Sequence, residues 1–133
     1  MARRPATLQR EDVLGWAVAA ARAADEKKAN DVVVLEVGNV LAITDFFVIA
    51  SASNPRQVRT LADEVERALK LLDPELGPLR VEGLRDLTWV LLDYGGIVVH
   101  LFHDETRAFY DIERLYRDVP RLPWQAPVAA ELA

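Results

Sequence analysis

The chain has 133 residues, of which 51% are hydrophobic and 28% charged, a composition that suits one globular domain and excludes a disordered or fibrous protein. Cysteine is absent, which excludes disulfides, thiol catalysis and Cys-ligated metal centres. The 16 basic and 21 acidic residues give a net charge of −5, which argues against direct DNA binding and favours a basic protein as partner.

The N-terminal region combines an arginine pair, Arg3–Arg4, with a following apolar stretch, an arrangement that superficially resembles a secretory leader. Glu11 and Asp12 stand where a leader should already be apolar, and Arg22 interrupts the stretch. We therefore interpret this region as an amphipathic helix over residues 8–24 that follows a loose tail, residues 1–6. No apolar run is long enough to span a membrane. We therefore expect a cytoplasmic protein with no membrane association.

Two short β-branched and aromatic runs follow and predict buried strands over residues 32–37 and 46–50. The next helix has a clear start signal. Asn54 is a suitable N-cap, a proline occupies the first helical position, and Gln57 is placed to complete a capping box. Apolar residues recur at helical spacing until the Asp-Pro pair at 73–74, where the helix should end.

A hairpin is predicted after a loop that includes a possible short strand near residues 79–81. Its strands, residues 88–94 and 97–102, flank Gly95 and Gly96. Two glycines between β-rich runs favour a two-residue turn, because such a turn requires positive φ.

A last helix is predicted over residues 105–117, with Asp104 as its cap. Three apolar residues share one stripe of this helix: Phe109, Ile112 and Tyr116. The order of elements predicts an α/β protein of the α+β type, in which helices pack on a mixed sheet. We expect one domain, residues 1–120, and a Pro-containing tail without regular structure, residues 121–133.

The two faces of the predicted hairpin differ in chemistry, because side chains alternate along a strand. One face is apolar and should meet the helices: Val90, Leu92, Tyr94, Ile97, Val99 and Leu101. The other, which we call the mixed face, consists of Trp89, Leu91, Asp93, Val98, His100 and Phe102. Aromatic anchors among polar groups are typical of a protein-binding surface. Alternatively, a helix covers this face as well, and Asp93 and His100 are buried partners.

Catalytic, metal and cofactor sites are not predicted. His100 and His103 are three residues apart on a strand, so they point to opposite faces and cannot share an ion. No nucleophile accompanies Asp93 and His100, which excludes a hydrolase triad. Residues 51–56 lead from a strand into a helix and could hold a phosphate, although they lack a glycine-rich cradle. A degenerate nucleotidyltransferase that still binds a nucleotide there is the alternative function.

Four segments between Ala24 and Pro120 carry a family resemblance: ADEKKANDVVVLEV, ITDFFVIASASNPRQV, WVLLDYGGIVVHLFHDETRAFYDIERLY and RDVP. They resemble the ribosomal silencing factor (RsfS, or Iojap) family in sequence and in order. The resemblance implies a nucleotidyltransferase-like fold without the catalytic motif, and a protein that is not an enzyme. It implies binding to the large ribosomal subunit through protein fourteen of that subunit. It further implies a steric block to joining of the small subunit when nutrients are scarce, and a homodimer when the protein is free.

The resemblance also implies a set of partner-binding residues: Trp89, Leu91, Asp93, Tyr94, His100, Tyr110 and Glu113. Four of them, Trp89, Leu91, Asp93 and His100, fall on the mixed face, whereas Tyr94 falls on the apolar face, where it could serve in core packing. Relatives commonly have an acidic residue where Gly96 stands, which weakens one possible salt contact to a basic partner.

Overall fold

The computed structural model describes residues 10–125. The predicted tail at residues 1–6, the first residues of the predicted helix (8 and 9) and residues 126–133 lie outside this range. The elements are α1 (Arg10–Glu26), β1 (Asn30–Glu36), β2 (Phe46–Ala52), α2 (Pro55–Leu72), β3 (Arg80–Glu82), β4 (Trp89–Asp93), β5 (Ile97–His103), α3 (Asp104–Tyr110) and α4 (Ile112–Leu115).

The five strands form one mixed sheet in the order β1-β2-β5-β4-β3. Strands β2 and β5 pair in parallel at its centre, and the other neighbours are antiparallel. Helices α1 and α2 pack together on one face of the sheet and bury the main core. This α/β architecture in a single domain confirms the predicted fold class. None of the helices in the described range is long and apolar enough to cross a membrane.

Helix α2 begins where the sequence predicts. The side chain of Asn54 accepts a hydrogen bond of 2.8 Å from the Gln57 amide, and a proline occupies the first helical position. The Gln57 side chain, however, does not complete a capping box. Its amide donates instead to the carbonyl oxygens of Lys27 and Lys28, at 3.2 and 3.3 Å, in the turn that follows α1. Gln57 thereby joins the start of one helix to the end of the other.

The hairpin has the predicted register, with Leu91 opposite His100 and Trp89 opposite Phe102. Gly95 has a φ of +85°, the conformation for which the turn selects glycine. Gly96 has another role, because a Cβ atom there would lie 2.7 Å from a methyl carbon of the buried Val13. The six side chains of the predicted apolar face are all buried, as expected.

The last predicted helix is wrong in two respects. It is broken at Asp111, whose φ of +46° is left-handed, so α3 ends at Tyr110 and a separate single-turn helix, α4, follows. The predicted stripe is consequently divided, since Phe109 is 80% exposed while Ile112 and Tyr116 pack on the sheet. The cap is also displaced by one residue, because the His103 side chain, not that of Asp104, accepts from the Glu105 amide.

The segment after α4 runs along the outer edge of β1. Leu35 and Arg121 form an antiparallel bridge, and the Leu122 amide donates to the Val34 carbonyl at 2.9 Å. The Trp124 indole then donates to the Val32 carbonyl at 3.0 Å. The first part of the predicted tail is therefore held on the sheet through backbone and side-chain hydrogen bonds.

Candidate functional site

The mixed face lies on the side of the sheet opposite α1 and α2. Part of this side is covered by the protein itself, since Ile112, Tyr116 and Val119 pack on a second apolar cluster around Phe47. The rings of Phe47 and Tyr116 meet edge to face, with centroids 5.2 Å apart. The cover lies over β1 and β2, and Trp89, Leu91 and Asp93 on β4 remain partly exposed. The alternative interpretation, in which the protein covers this face, therefore applies over β1 and β2, whereas the β4 part of the face stays accessible.

Trp89 belongs to a row of four aromatic rings that leads from the core to the surface. Adjacent centroids are 4.8 Å apart from Phe102 to Trp89, 4.9 Å from Trp89 to Tyr110 and 5.0 Å from Tyr110 to Phe109. Exposure increases along the row, from 0% at Phe102 to 52% at Tyr110 and 80% at Phe109. Aromatic side chains offer a large apolar area with few rotatable bonds, so such a row loses little conformational entropy on binding. Phe102 is fully buried, so we give the name aromatic row to the three rings that reach the surface: Trp89, Tyr110 and Phe109.

His100 lies on the mixed face but is only 5% exposed. Its Nδ1 atom accepts a hydrogen bond of 3.2 Å from Nε1 of Trp89, and its ring meets Phe47 with centroids 4.6 Å apart. Burial lowers the pKa of His100 to about 4, because the apolar surroundings disfavour the charged imidazolium. His100 is therefore a neutral acceptor near pH 7, and its partner is Trp89, not the Asp93 that the sequence suggested.

Asp93 is held by its own hairpin. Its Oδ1 accepts from the Gly95 amide at 2.8 Å, and its Oδ2 lies 3.8 Å from the Arg80 guanidinium. The carboxylate is about a quarter exposed, so it retains a face toward solvent. Together with the partly exposed Leu91 it forms the border of the accessible surface beside Trp89.

Tyr94 lies apart from the other expected site residues. Its side chain is 5% exposed and lies in the core under the helices, on the opposite side of the sheet. Burial, with a smaller effect of the Glu66 carboxylate, raises the pKa of the Tyr94 hydroxyl well above its ordinary value. Tyr94 therefore has no direct contact to offer a partner, and a role in partner binding would come from its packing behind the Gly95 turn.

Tyr110 and Glu113 come from the two helices on either side of the break at Asp111. Tyr110 joins the aromatic row, whereas Glu113 accepts from Nε of Arg107 at 2.9 Å and lies 3.8 Å from Arg121. Glu113 is thus engaged within the protein, and the side chain that engages it is almost fully buried.

Arg107 connects four parts of the structure through one guanidinium group. Besides Glu113, it donates to the carbonyl oxygens of Asn30 and Asp31, at 3.1 and 2.7 Å, and to Oγ of Ser51 at 3.0 Å. Neither Arg107 nor Phe109 was selected as a functional residue from the sequence. A single arginine in a charged helix gives no local signal of burial. Phe109 was placed on a buried stripe because the sequence predicts one unbroken helix there.

A polar cleft of about 400 Å³ lies beside Arg107, at the end of β2 where the alternative function places a nucleotide. Four carboxylate residues line it: Asp31, Asp104, Asp111 and Glu113. Four of the five N–H groups of the Arg107 guanidinium already donate to acceptors within the protein, so the four carboxylates dominate the cleft and disfavour a phosphate. In the described part of the chain, no group of three or more acidic or histidine side chains is arranged to hold a metal ion.

Comparison with known proteins assigns the chain to a family. The sequence profile described as "Ribosomal silencing factor during starvation" matches residues 10–132. The chain belongs to the ribosomal silencing factor family. Ribosomal silencing factor RsfS of Halalkalibacterium halodurans is 36% identical over 110 residues, which cover 83% of this chain and 92% of that protein.

Two further matches extend the ribosomal silencing factor assignment. A crystal structure of a protein from Bacillus halodurans is 34% identical and has a TM-score of 0.68, covering 85% of this chain and 98% of that chain. The Mus musculus protein named "Mitochondrial assembly of ribosomal large subunit protein 1" is 30% identical over 92 residues, 68% of this chain and 40% of that protein. Membership of the ribosomal silencing factor family implies a regulatory role in ribosome-associated translation.

Proposed function

We propose that this protein binds the large ribosomal subunit in the cytoplasm through protein fourteen of that subunit and blocks joining of the small subunit when nutrients are scarce. It acts without catalysis and without a cofactor. The observation that carries the proposal is the aromatic row, which leaves Trp89, Tyr110 and Phe109 accessible at one end of β4, while the acidic Asp93 is partly exposed at the other end. The family assignment and the large-subunit protein among the relatives support the ribosome as the partner.

The chemistry of this surface fits a basic protein. Partly exposed aromatic side chains at the centre of an interface typically supply most of the binding free energy, while charges at its border set orientation and specificity. The net charge of −5 would increase the rate of encounter with a cationic docking surface. Trp89, Leu91, Asp93 and Tyr110 make the contacts in this proposal, and Phe109 extends them.

The other three expected residues act from behind the contact surface. Tyr94 and His100 are buried, and Glu113 is paired with Arg107. We assign them the role of holding the hairpin and the α3–α4 break in the geometry that the contact residues need. The block itself requires only that a folded domain occupies space between the two subunits.

Cosedimentation with isolated large subunits tests the proposal, with Trp89→Ala compared to the unmodified chain. Loss of an anchor should weaken binding by about 30-fold or more, which corresponds to about 2 kcal/mol. Leu71→Ala is the matched control, because Leu71 is an exposed apolar residue on α2 and lies on the opposite side of the sheet. Equal binding by Trp89→Ala and the unmodified chain would contradict the proposed surface.

The alternative function has its own test. Titration of the unmodified protein with a nucleoside triphosphate in a calorimeter should give no binding heat, because the cleft beside Ser51 is lined by carboxylates. Clear nucleotide binding together with absence of large-subunit binding would replace our proposal with the nucleotide-binding alternative.

We further propose that the free protein forms a homodimer through the same aromatic row. The dimer and the ribosome would then compete for one surface. Sedimentation equilibrium of Trp89→Ala should show a weaker dimer than the unmodified chain, in parallel with its weaker ribosome binding. A dimer of unchanged strength would place self-association on another surface.

A further inference from the structure

The indole of Trp89 has one hydrogen-bond donor, and a residue of the protein itself already uses it. Nε1–H of Trp89 donates to Nδ1 of His100 across 3.2 Å, between two neighbouring strands. An indole has no second donor and no conventional acceptor. The part of Trp89 that remains accessible is therefore hydrocarbon.

His100 is unable to contact a partner directly, because its ring is enclosed by Phe47, Trp89 and Phe102. Its proton must be on Nε2, since Nδ1 accepts from Trp89 and the lowered pKa keeps the ring neutral at pH 7. Nε2 has no hydrogen-bond partner among the described residues, although it is buried. A buried N–H without a partner is costly, so packing alone would favour an apolar residue here. The hydrogen bond that Nδ1 accepts from Trp89 compensates for this cost.

We propose that His100 is a positioning residue that fixes the orientation of the Trp89 indole, and that the partner receives this indole through a hydrocarbon surface that offers it no hydrogen-bond acceptor. A half-turn about the Cβ–Cγ bond of a tryptophan exchanges the two edges of its ring, and both orientations occur as rotamers. The orientation observed places Nε1 at His100 and keeps the ring between Phe102 and Tyr110. The statement about the partner rests on the proposed function. The positioning of Trp89 by His100 does not, because this hydrogen bond is present in the free protein.

Binding to large subunits tests the inference through a double-mutant cycle of Trp89→Phe, His100→Leu and the two together. Trp89→Phe removes the donor and keeps a ring, so it should lose only about 3-fold to 5-fold, much less than Trp89→Ala. His100→Leu should weaken binding by about tenfold when Trp89 is present, and hardly at all when Phe replaces it. His100→Asn should keep most of the large-subunit binding that His100→Leu loses, because the asparagine side-chain carbonyl supplies an acceptor close to the position of Nδ1.

Two outcomes would overturn the inference. If Trp89→Phe lost as much binding as Trp89→Ala, an aromatic hydrocarbon ring at this position would not be what the partner receives, and the second half of the inference would fail. If His100→Leu lost as much binding in the Trp89→Phe background as alone, His100 would not act through Trp89.

A second measurement uses the free protein, which separates this inference from the proposed function. The indole N–H groups of Trp16, Trp89 and Trp124 are observed in a ¹⁵N-labelled sample, and the Trp89 signal is assigned by its absence in Trp89→Phe. In His100→Leu this signal should move upfield and exchange with solvent faster, while His100→Asn keeps it close to the original. An unchanged signal in His100→Leu would refute the positioning role, even if ribosome binding followed the proposal. Conversely, a shifted signal with no large-subunit binding by the unmodified chain would leave the positioning intact and refute the proposed function.

Discussion

Replacement of Arg107 by methionine should destabilise the protein strongly. The guanidinium is about nine-tenths buried and satisfies two backbone carbonyls, the Ser51 hydroxyl and the Glu113 carboxylate. Removal of one member of a buried charged network typically costs about 3–5 kcal/mol, because the acceptors lose their partner without regaining water. Glu113 is about a fifth exposed and keeps Arg121 at 3.8 Å, which favours the lower end, about 3 kcal/mol.

Urea unfolding followed by circular dichroism measures this difference. Arg59→Met is the matched control, because Arg59 forms an exposed pair with Asp63 one turn away and should change the free energy of unfolding by no more than about 0.5 kcal/mol. Arg107→Lys should fall between Arg107→Met and the unmodified chain, since one ammonium group cannot reach all four acceptors. If Arg107→Met cost no more than Arg59→Met, the network would not hold α3 and α4 on the sheet, and the reasoning would be refuted.

Two further predictions concern Gly96 and His100. Gly96→Asp should lower the free energy of unfolding by about 1–3 kcal/mol, because its Cβ would meet Val13, and Val13→Ala in the same chain should remove much of this loss. Additive losses in thermal unfolding of the double variant would contradict that contact. For His100, the folded pKa of about 4 lies below the ordinary value of 6.5, so the unfolded chain binds the proton first as the pH falls. Between pH 6.5 and 4 the protein should therefore lose about 3 kcal/mol more of its unfolding free energy than His100→Asn does, and parallel pH profiles of the two would disprove burial of the imidazole.

The parts of the fold that the sequence predicted are those with local signals. The register of the hairpin follows from the position of the glycine pair, because a two-residue turn leaves only one way to pair the flanking strands. The beginning of α2 follows from Asn54 and the proline after it, which need no distant contact. The apolar face of the hairpin follows in turn from its register.

The features that sequence reasoning missed depend on contacts between distant residues. No glycine or proline marks the break at Asp111 in the sequence. Arg107 holds α3 and α4 on either side of this break through hydrogen bonds to β1 and β2, which lie more than 50 residues earlier in the chain. The burial of His100 depends on Phe47 from a neighbouring strand. The alternation of side chains therefore predicts which side of the sheet carries the mixed face, but it does not predict which part of that side the protein itself covers.

The margins of the sheet have a consequence for the protein at high concentration. Unpaired backbone groups on an outermost strand are a template for further strands and hence for fibril growth. Here the β1 margin is occupied by residues 120–122, and the β3 margin is only three residues long, with Arg80 and Glu82 both exposed and 3.1 Å apart. A pool of this protein that is not bound to ribosomes should therefore resist polymerisation through its sheet.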